Sequence, residues 1–516
     1  MSPSRERPLA QRHTLTVDLG TGGPKVGLVS FDGQLRWSAH RVVPTVRREG
    51  GVAVQDAAGW WEAVTELASE GLRVGGVDPG SVEAVAVTGQ WGSTVPVDAD
   101  GIPVGEARLF LDTRGARHTQ KFAAGPLFGY HPRALVWLQR TAGAPSPQGG
   151  DPIGHMLAIQ HDEPEVAARA RWFLEPVDYL TMRFTGRATA SHNSMTLAWL
   201  TDTRDPSRLD YDERLVAWTG IEPRRLPPLV RTGSVVGPVL PEVCRALGLP
   251  EGTVTVAGMT DLLASTVGSG AVLPRQGHFA VSTTTWISAP VPKKKTDIHH
   301  TIATVPGLTP DLHLLANNHE AAGAAFAWVR DEVFGGSFDE LTTAAARSPI
   351  GSNGVLFTPW LAGLRSPVDD RSARGGWHNL SLGTRREDLV RSLLEGVAYN
   401  TRWLLDPVER FVGQPLDPLR FIGGGAVSDL WCQIHADVTG RRIERVADPM
   451  NAPLRGAGLV AAIALDALTL PEAGRCVQVD RVFRPDPAAQ PTYAVGYREF
   501  TAMYRRQKGL WRALSR

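Results

Sequence analysis

The sequence predicts an α/β protein built of two domains. Its 516 residues are more than one hydrophobic core ordinarily accommodates. At residues 253–265 a short run of strand-forming residues, Thr-Val-Thr-Val-Ala, is followed by apolar residues at helical spacing. Each half of the chain also contains a β-hairpin rich in glycine or hydroxyl residues. We therefore expect an N-terminal domain of residues 1–250 and a C-terminal domain of residues 251–516.

Composition and charge exclude several classes of protein. Lys and Arg total 54 against 53 Asp and Glu, so we expect no nucleic-acid partner and no binding to an anionic membrane. Three widely separated cysteines predict neither a disulfide framework nor a zinc site. The polar, basic residues 1–13 lack the apolar core of a secretory signal, and the apolar run 458–470 is too short to span a bilayer. We expect a cytoplasmic protein.

The rest of the chain is organised around the stretch Gly-Met-Thr-Asp at residues 258–261. Asp261 stands where a buried strand passes into a helix, and α/β proteins hold catalytic side chains at such rigid strand ends. The alternative is that Thr260 or Asp261 only caps the helix. These residues alone leave both interpretations open.

A first glycine-rich hairpin follows the strand at residues 14–17. Asp-Leu-Gly-Thr at residues 18–21 leads through Gly-Gly-Pro into a second strand, so the segment is a β–β turn and not a Walker A loop. Glycines let backbone amides approach a phosphate, Thr21 adds a hydroxyl, and Asp18 can hold a hydrated magnesium ion. A glycine-rich hairpin without any ligand is the alternative.

Two further strand ends carry polar side chains beside an indole. Gln90 and Trp91 follow one strand, and Asp112 begins the sequence Asp-Thr-Arg after another. Such groups suit a polyhydroxy ligand, but they are equally compatible with surface loops. Residues 126–241 show no chemistry above background, and residues 165–184 predict a mostly helical segment with a break at Pro176.

The second half contains a hydroxyl-rich hairpin and a glycine-rich turn. Ser-Thr-Thr-Thr at residues 282–285 follows a strand and can donate to phosphate oxygens, although threonine is also an ordinary strand residue. Three glycines at residues 423–425 join a buried strand to a helix, as in a nucleotide-approach site or a simple tight turn. Their spacing is not that of a Rossmann dehydrogenase. Residues 384–387 predict a capping box at the start of a long helix.

In their order and spacing these motifs resemble those of the FGGY carbohydrate kinases, most closely the xylulose-kinase-like branch. The resemblance runs over about residues 14–470. It is carried by Asp-Leu-Gly-Thr at 18–21, Gly-Gln-Trp at 89–91, Asp-Thr-Arg at 112–114, Gly-Met-Thr-Asp at 258–261, Ser-Thr-Thr at 282–284, Gly-Gly-Gly-Ala-Val-Ser at 423–428 and residues 380–396.

The resemblance implies two ribonuclease H-like domains of the actin/hexokinase type around a cleft in which ATP and a sugar meet. It implies that Asp261 is the catalytic base and that Asp18 assists magnesium. Gln90, Trp91 and Asp112 would face the sugar. Contacts to the phosphates and the adenosine of ATP would come from Gly20, Thr21, Thr283, Thr284, Gly424, Gly425 and Ser428.

This sequence departs from the family pattern at two places. Gly22 and Gly23 stand where the family's first loop usually carries Thr and Ser. Trp91 and Gly92 replace the Met-His of xylulose kinases, so a sugar-contacting histidine is lost and an indole is gained.

We expect an ATP- and Mg²⁺-dependent kinase of a small ketose or polyol, with D-xylulose as the first candidate and a homodimer permitted. The alternatives are an actin-like ATPase and a sugar-binding protein of the same fold without catalysis.

Overall fold

The protein is described by a computed structural model that covers residues 7–127 and 129–514, so the first six residues of the polar N-terminal segment lie outside it. The strands up to the start of the central helix are β1 His13–Gly20, β2 Gly23–Ser30, β3 Leu35–His40, β4 Val46–Arg48, β5 Val52–Gln55, β6 Val82–Gly89, β7 Val95–Val97, β8 Ala107–Arg108, β9 Ala124–Gly125, β10 Gly129–Tyr130, β11 Trp172–Leu174, β12 Ala190–Ser191, β13 Leu229–Val230, β14 Val235–Pro238, β15 Val254–Val256 and β16 Met259–Thr260.

The later strands are β17 Gly277–Val281, β18 Thr285–Ser288, β19 Pro290–Val291, β20 Thr296–Asp297, β21 Ile302–Pro306, β22 His313–Ala316, β23 Leu356–Thr358, β24 Gly376–His378, β25 Leu419–Ile422, β26 Ile443–Val446 and β27 Val479–Phe483. The α-helices are α1 Ala57–Val74, α2 Ala116–Ala123, α3 Ala134–Arg140, α4 Pro152–Asp162, α5 Pro164–Arg169, α6 Pro176–Thr185, α7 Glu213–Thr219, α8 Pro241–Leu247, α9 Asp261–Ser269, α10 Gly323–Trp328, α11 Phe338–Ala345, α12 Arg386–Val412, α13 Asp429–Thr439, α14 Ala452–Ala464, α15 Leu470–Cys476 and α16 Gln490–Leu514.

Two mixed sheets organise the molecule. The first has the order β14–β15–β6–β1–β2–β3, with β16 also pairing with β6, and its strands β1, β6, β15 and β16 are parallel. The second has the order β18–β17–β25–β26–β27, with β17, β25 and β26 parallel. In each sheet an antiparallel hairpin adjoins the parallel strands. β1 and β6 are buried along nearly their whole length, as expected for parallel strands covered on both faces.

The central strands belong to the first sheet. Val254 lies beside Ala84 and Met259 beside Thr88 of β6, whereas the second sheet begins with β17. The boundary predicted after residue 250 therefore precedes two strands that complete the first sheet. Through β16, Asp261 is attached to that sheet.

Two helices from different halves cross in close contact. α14 packs on α9 and on β1 and β6 of the first sheet. A Cβ at Gly268 would lie 1.8 Å from the Ala452 carbonyl oxygen, and one at Gly456 would lie 1.7 Å from the Ala264 carbonyl oxygen. The two backbones therefore touch without side chains between them.

Two local predictions were wrong. Residues 165–184 are not one interrupted helix, because β11 lies between α5 and α6 and pairs with β7. The capping box predicted at residues 384–387 does not form: Asp388 Oδ2 accepts from the Arg385 amide at 3.0 Å, while Thr384 Oγ1 accepts from the Ser381 amide. Within the described ranges, no helix has both the length and the apolar character needed to cross a membrane.

Candidate active site

The register of the first sheet brings the two key carboxylates to one edge. Asp18 of β1 lies beside Thr88 of β6, and Met259 of β16 lies beside the same Thr88 from the other side. β1 and β16 are thus separated by two strand spacings, about 10 Å. Asp18 and the start of α9 therefore meet at the carboxyl ends of the parallel strands, where α/β proteins bind ligands.

Thr260, and not Asp261, caps α9. The Thr260 Oγ1 accepts from the Leu263 amide at 3.3 Å, which satisfies one of the free amides of the helix start. Asp261 is half-buried, and its side chain forms no ion pair in the described part of the chain. Burial and, after it, the nearby Asp18 raise the pKa of Asp261 to about 7, although the hydrogen bond from the Leu262 amide opposes the shift. A carboxylate with this pKa suits a general base at neutral pH.

Asp18 is the second half-buried carboxylate of this edge. Burial raises its pKa, while Lys25 and His40 lower it. Lys25, opposite Asp18 on β2, donates its Nζ to Asn451 Oδ1 at 3.2 Å and not to Asp18. Among the described residues no cluster of three or more His, Cys, Asp or Glu could hold a metal. Asp18 fits Mg²⁺ all the same, because that ion is commonly held by one or two carboxylates together with water and substrate phosphates.

The two glycines of the first hairpin have different surroundings. A Cβ at Gly22 would meet nothing within 4 Å, whereas one at Gly23 would lie 2.1 Å from the Arg41 carbonyl oxygen, on a backbone with φ of +123°. Gln55, which sequence reasoning missed, donates its Nε2 to the Thr21 carbonyl oxygen at 2.8 Å. Gln55 thus fixes the backbone of the hairpin at Thr21, while the space beside Gly22 is open. Gly20 precedes it at the strand end.

Gln90 presents a donor without a partner beside this hairpin. Its Oε1 accepts from Thr21 Oγ1 at 3.3 Å. Its Nε2 is buried and has no hydrogen-bond partner within residues 7–127 and 129–514. Buried donors are rarely left unpaired, so the Gln90 Nε2 is a candidate donor to a polar ligand. Trp91, half-buried, packs against the core cluster that contains Met259 and Leu262.

The loop after Trp91 is held by Glu175, a residue in the region where the sequence indicated no chemistry. Its carboxylate accepts from the Gly92 amide at 3.2 Å and from the Ser93 amide at 3.1 Å. Gly92 has φ of +77°, and a Cβ there would lie 2.9 Å from Leu197 Cδ1. The site therefore has little room for a side chain at position 92.

Asp112 is fully buried and bound within the protein. It accepts from the Ala53 amide at 3.2 Å and from Arg114 Nη2 at 2.8 Å. Burial alone would raise its pKa, but the hydrogen bonds from Arg114 and Ala53 bring the pKa below its usual value. Arg114 and the Ala53 amide thus hold the Asp112 carboxylate in place, and its contact with a sugar stays a prediction.

The second sheet brings its two predicted nucleotide loops together. Ala280 of β17 lies beside Ile422 of β25, so both loops leave the same edge. Thr283 is exposed and Thr284 half-buried, and within the described residues neither hydroxyl forms a hydrogen bond with another side chain.

Of the three glycines in the turn after β25, Gly424 is open, whereas Gly423 and Gly425 are packed against Val281. A Cβ at Gly424 would meet nothing within 4 Å, but one at Gly425 would lie 2.7 Å from Val281 Cβ. Ser428 accepts from the Trp431 amide at 3.2 Å and so caps α13. The turn is therefore open at Gly424, and the Ser428 hydroxyl keeps its own hydrogen available for donation.

The chain matches one known protein family along most of its length. The family model described as "FGGY family of carbohydrate kinases, N-terminal domain" matches residues 13–268, and the corresponding C-terminal domain matches residues 280–465. A xylulose kinase of Staphylococcus epidermidis is 28% identical over 505 residues, which cover 96% of this chain and 97% of that protein.

Two further relatives extend the comparison. A gluconokinase of Bacillus subtilis is 24% identical over 439 residues, covering 83% of this chain and 82% of that protein. The crystal structure of a ligand-bound xylulose kinase from Lactobacillus acidophilus superposes with a TM-score of 0.84 at 21% identity, covering 98% of this chain and all of the other. This last likeness concerns the fold.

Proposed function

Because the chain belongs to the FGGY family of carbohydrate kinases, as its motifs predict, we propose that it transfers the γ-phosphate of ATP to a hydroxyl of a small ketose or polyol, with D-xylulose as the first candidate. The observation that carries this proposal is the pair Asp18 and Asp261 at the carboxyl edge of the first sheet. Asp261 has a pKa of about 7 and no competing ion pair among the described residues.

Asp261 acts as the general base in the proposed reaction. The sugar hydroxyl loses its proton to the Asp261 carboxylate as its oxygen forms a bond to the γ-phosphorus, and the bond from that phosphorus to the leaving oxygen of ADP breaks. The capped start of α9 holds the backbone at Asp261 for this task, since Thr260 Oγ1 accepts from the Leu263 amide three residues along the chain. Positioning is a large part of catalysis by kinases.

The phosphate-binding groups come from both halves of the chain. In the proposal, the open backbone at Gly22 and the hydroxyls of Thr21, Thr283 and Thr284 approach the phosphates, and Gly424 approaches the adenosine. Asp18 would hold Mg²⁺ by way of its hydration water. When bound, that ion would neutralise charge on the phosphate oxygens.

Sugar recognition is assigned to Gln90 and Trp91. The unpartnered Gln90 Nε2 can donate to a sugar hydroxyl, and the half-buried indole of Trp91 can cover the apolar face of a sugar. The relatives named for xylulose and for gluconate support a small sugar as the class of substrate, and gluconate is therefore tested beside the ketoses and polyols. Because Gly92 lacks the side chain of the usual histidine, we expect a substrate ranking different from that of a standard xylulose kinase.

A panel of sugars tests this proposal. ADP release from ATP is measured with D-xylulose, L-xylulose, ribulose, erythritol, glycerol and gluconate, each against a reaction without sugar. We expect turnover that depends on sugar and is highest with a five-carbon ketose. Turnover that is independent of every sugar would identify an ATPase instead, and binding of sugar in calorimetry without turnover would identify a sugar-binding protein.

The variant Trp91→Ala sharpens the same panel. If the indole contacts the sugar, the order of kcat/KM values across the panel changes and the melting temperature falls only modestly. If Trp91 is a core residue, the melting temperature falls strongly and the order is unchanged. An unchanged order would remove Trp91 from the proposed sugar site.

A further inference from the structure

We propose that Asn193 is a positioning residue that orients Asp261 by holding Thr260, and that it ties this catalytic turn to the second half of the chain. The inference rests on the proposed function, since it takes Asp261 as the base. Its evidence is separate and lies in the hydrogen bonds of a buried amide from the region that showed no chemistry in the sequence.

The amide oxygen of Asn193 holds both polar groups of Thr260. Asn193 is fully buried, and its Oδ1 accepts from the Thr260 backbone amide at 2.9 Å and from Thr260 Oγ1 at 3.1 Å. Since the Thr260 hydroxyl donates to Asn193, its lone pairs are free to accept from the Leu263 amide. One oxygen thus fixes the backbone and the rotamer of the residue immediately before Asp261.

The amide nitrogen of Asn193 binds the other half of the chain. Its Nδ2 donates to the Pro306 carbonyl oxygen of β21 at 2.8 Å. His313, which lies opposite Pro306 on β22, makes a second link at 2.7 Å between its Nε2 and the Thr203 carbonyl oxygen. The segment that contains Asn193 is therefore bound to β21 and β22 at two points, and the catalytic turn is bound to that segment.

Asn193 is not explained by a local structural role. It stands at the N-terminal end of the 3₁₀ turn Ser194–Ala198, but its side chain makes no capping bond to that turn. The hydrogen bonds of its side chain go to groups 67 and 113 positions away along the chain. The carboxamide supplies an acceptor on one side and donors on the other, whereas an ionised Asp has no donor and Leu has neither group, so neither residue reproduces the bridge.

Loss of this bridge should lower kcat more than it weakens sugar binding. A shift of about 1 Å in a catalytic group can cost about a hundredfold in rate. We expect Asn193→Ala to reduce kcat about 10- to 100-fold with a change in sugar KM of less than about threefold, because Asn193 is fully buried and its side chain binds Thr260 and Pro306. Asn400→Ala is the matched control, since Asn400 is a buried asparagine that binds Trp360 Nε1 at 3.1 Å on the second domain.

A double-mutant cycle shows whether Asn193 acts through Thr260. Thr260→Val removes the hydroxyl, Thr260→Ser keeps it, and the third variant combines Asn193→Ala with Thr260→Val. We expect Thr260→Ser to be close to wild type, and the double variant to be no slower than the slower single variant. Fully multiplicative losses, or a kcat for Asn193→Ala equal to that of Asn400→Ala, would overturn the proposal.

Amide hydrogen exchange tests, without any sugar, whether Asn193 stabilises the backbone at Thr260. In Asn193→Ala, peptides that contain Thr260 and Leu263 should exchange faster, while peptides from α13 should not change. Unchanged exchange at Thr260 would overturn the proposal even in an active enzyme. If Asn193→Ala does not fold, the comparison of Thr260→Val with Thr260→Ser decides: equal kcat values would overturn it. If the wild type phosphorylates no sugar, the proposed function fails, but exchange at Thr260 still tests the hold of Asn193.

Discussion

Two strand-to-helix turns in this molecule have the same local chemistry and different surroundings. α9 begins with Thr260 as its cap and Asp261 as its first residue, and α13 begins with Ser428 as its cap and Asp429 as its first residue. Asp429 is exposed and forms ion pairs with Arg445, at 2.6 Å, and with Arg481. Asp261 is half-buried and lies near another carboxylate, Asp18.

The difference lies in what the neighbouring strands contribute. Beside Asp429, β26 and β27 supply arginines that pair with the carboxylate. Beside Asp261, β1 supplies Asp18, and like charge together with burial raises the pKa of Asp261. The hydroxyl residue thus caps the helix in both places. The side chains on the neighbouring strands determine whether the aspartate that follows it is bound in an ion pair.

The largest effect should come from removing the free carboxylate. Asp261→Asn should leave the fold intact, because Thr260 carries the cap, and should lower kcat by about 10²–10⁴-fold, as expected for a lost general base. Steady-state kinetics with ATP and the preferred sugar measure this, with the melting temperature as a check on folding.

Asp429→Asn is the matched control for that variant. It removes the equivalent carboxylate of α13, which is exposed and paired on the surface, where ion pairs contribute only about 0–1 kcal/mol. We expect kcat within about threefold of wild type. Similar losses of kcat in the two variants would show that the two turns are not functionally different.

A second prediction compares open and packed glycines in the first hairpin. Gly22→Ala should fold normally, since its Cβ meets nothing within 4 Å, but should raise the KM for MgATP about tenfold, or about 1.4 kcal/mol, by narrowing the phosphate approach. Gly23→Ala should lower the free energy of unfolding by about 2–4 kcal/mol, because the backbone is left-handed and the Cβ meets Arg41.

The second domain offers the same contrast. Gly424→Ala should resemble Gly22→Ala, and Gly425→Ala should resemble Gly23→Ala, because a Cβ at Gly424 meets nothing within 4 Å whereas one at Gly425 meets Val281. Denaturant unfolding and the KM for ATP separate the two kinds of glycine. A destabilised Gly22→Ala with an unchanged KM would show that the hairpin is structural.

The smallest effect concerns pH. Since Asp261 must be deprotonated to accept a proton, kcat/KM for the sugar should rise about tenfold per pH unit below about 7 and level off above it. Asp18→Asn removes a charge that raises the pKa of Asp261, so the midpoint should move to lower pH whatever the loss in rate. Asp429→Asn should leave the midpoint in place. If the midpoint does not move in Asp18→Asn either, the charge of Asp18 does not affect the pKa of Asp261.

Sequence reasoning succeeded where the signal is local. The hairpins, the glycine-rich turn and the helix start at Asp261 are short patterns, and the family and fold that they predicted are confirmed. The supporting residues escaped because their contacts are distant: Gln55 binds Thr21, 34 positions away, and Glu175 binds Gly92, 83 positions away. A buried glutamine or glutamate carries no local pattern that marks its partner.

The missed strand β11 and the position of β15 and β16 have the same cause. Strand pairing is decided by which distant segment lies alongside, here β7 and β6. Periodicity identifies a strand or helix but does not reveal its sheet. The sheet to which β15 and β16 belong therefore follows from their pairing with β6, which cannot be read from the sequence.

The left-handed backbone at Gly92 limits which residues this loop can carry. A histidine at this position would have to adopt a left-handed backbone, and its Cβ would lie 2.9 Å from Leu197 Cδ1, the end of a flexible side chain that can move. Glu175 holds the Gly92 amide and so fixes this part of the loop. Grafting the usual Met-His sequence onto this chain would therefore strain the backbone at position 92 more than it would crowd Leu197.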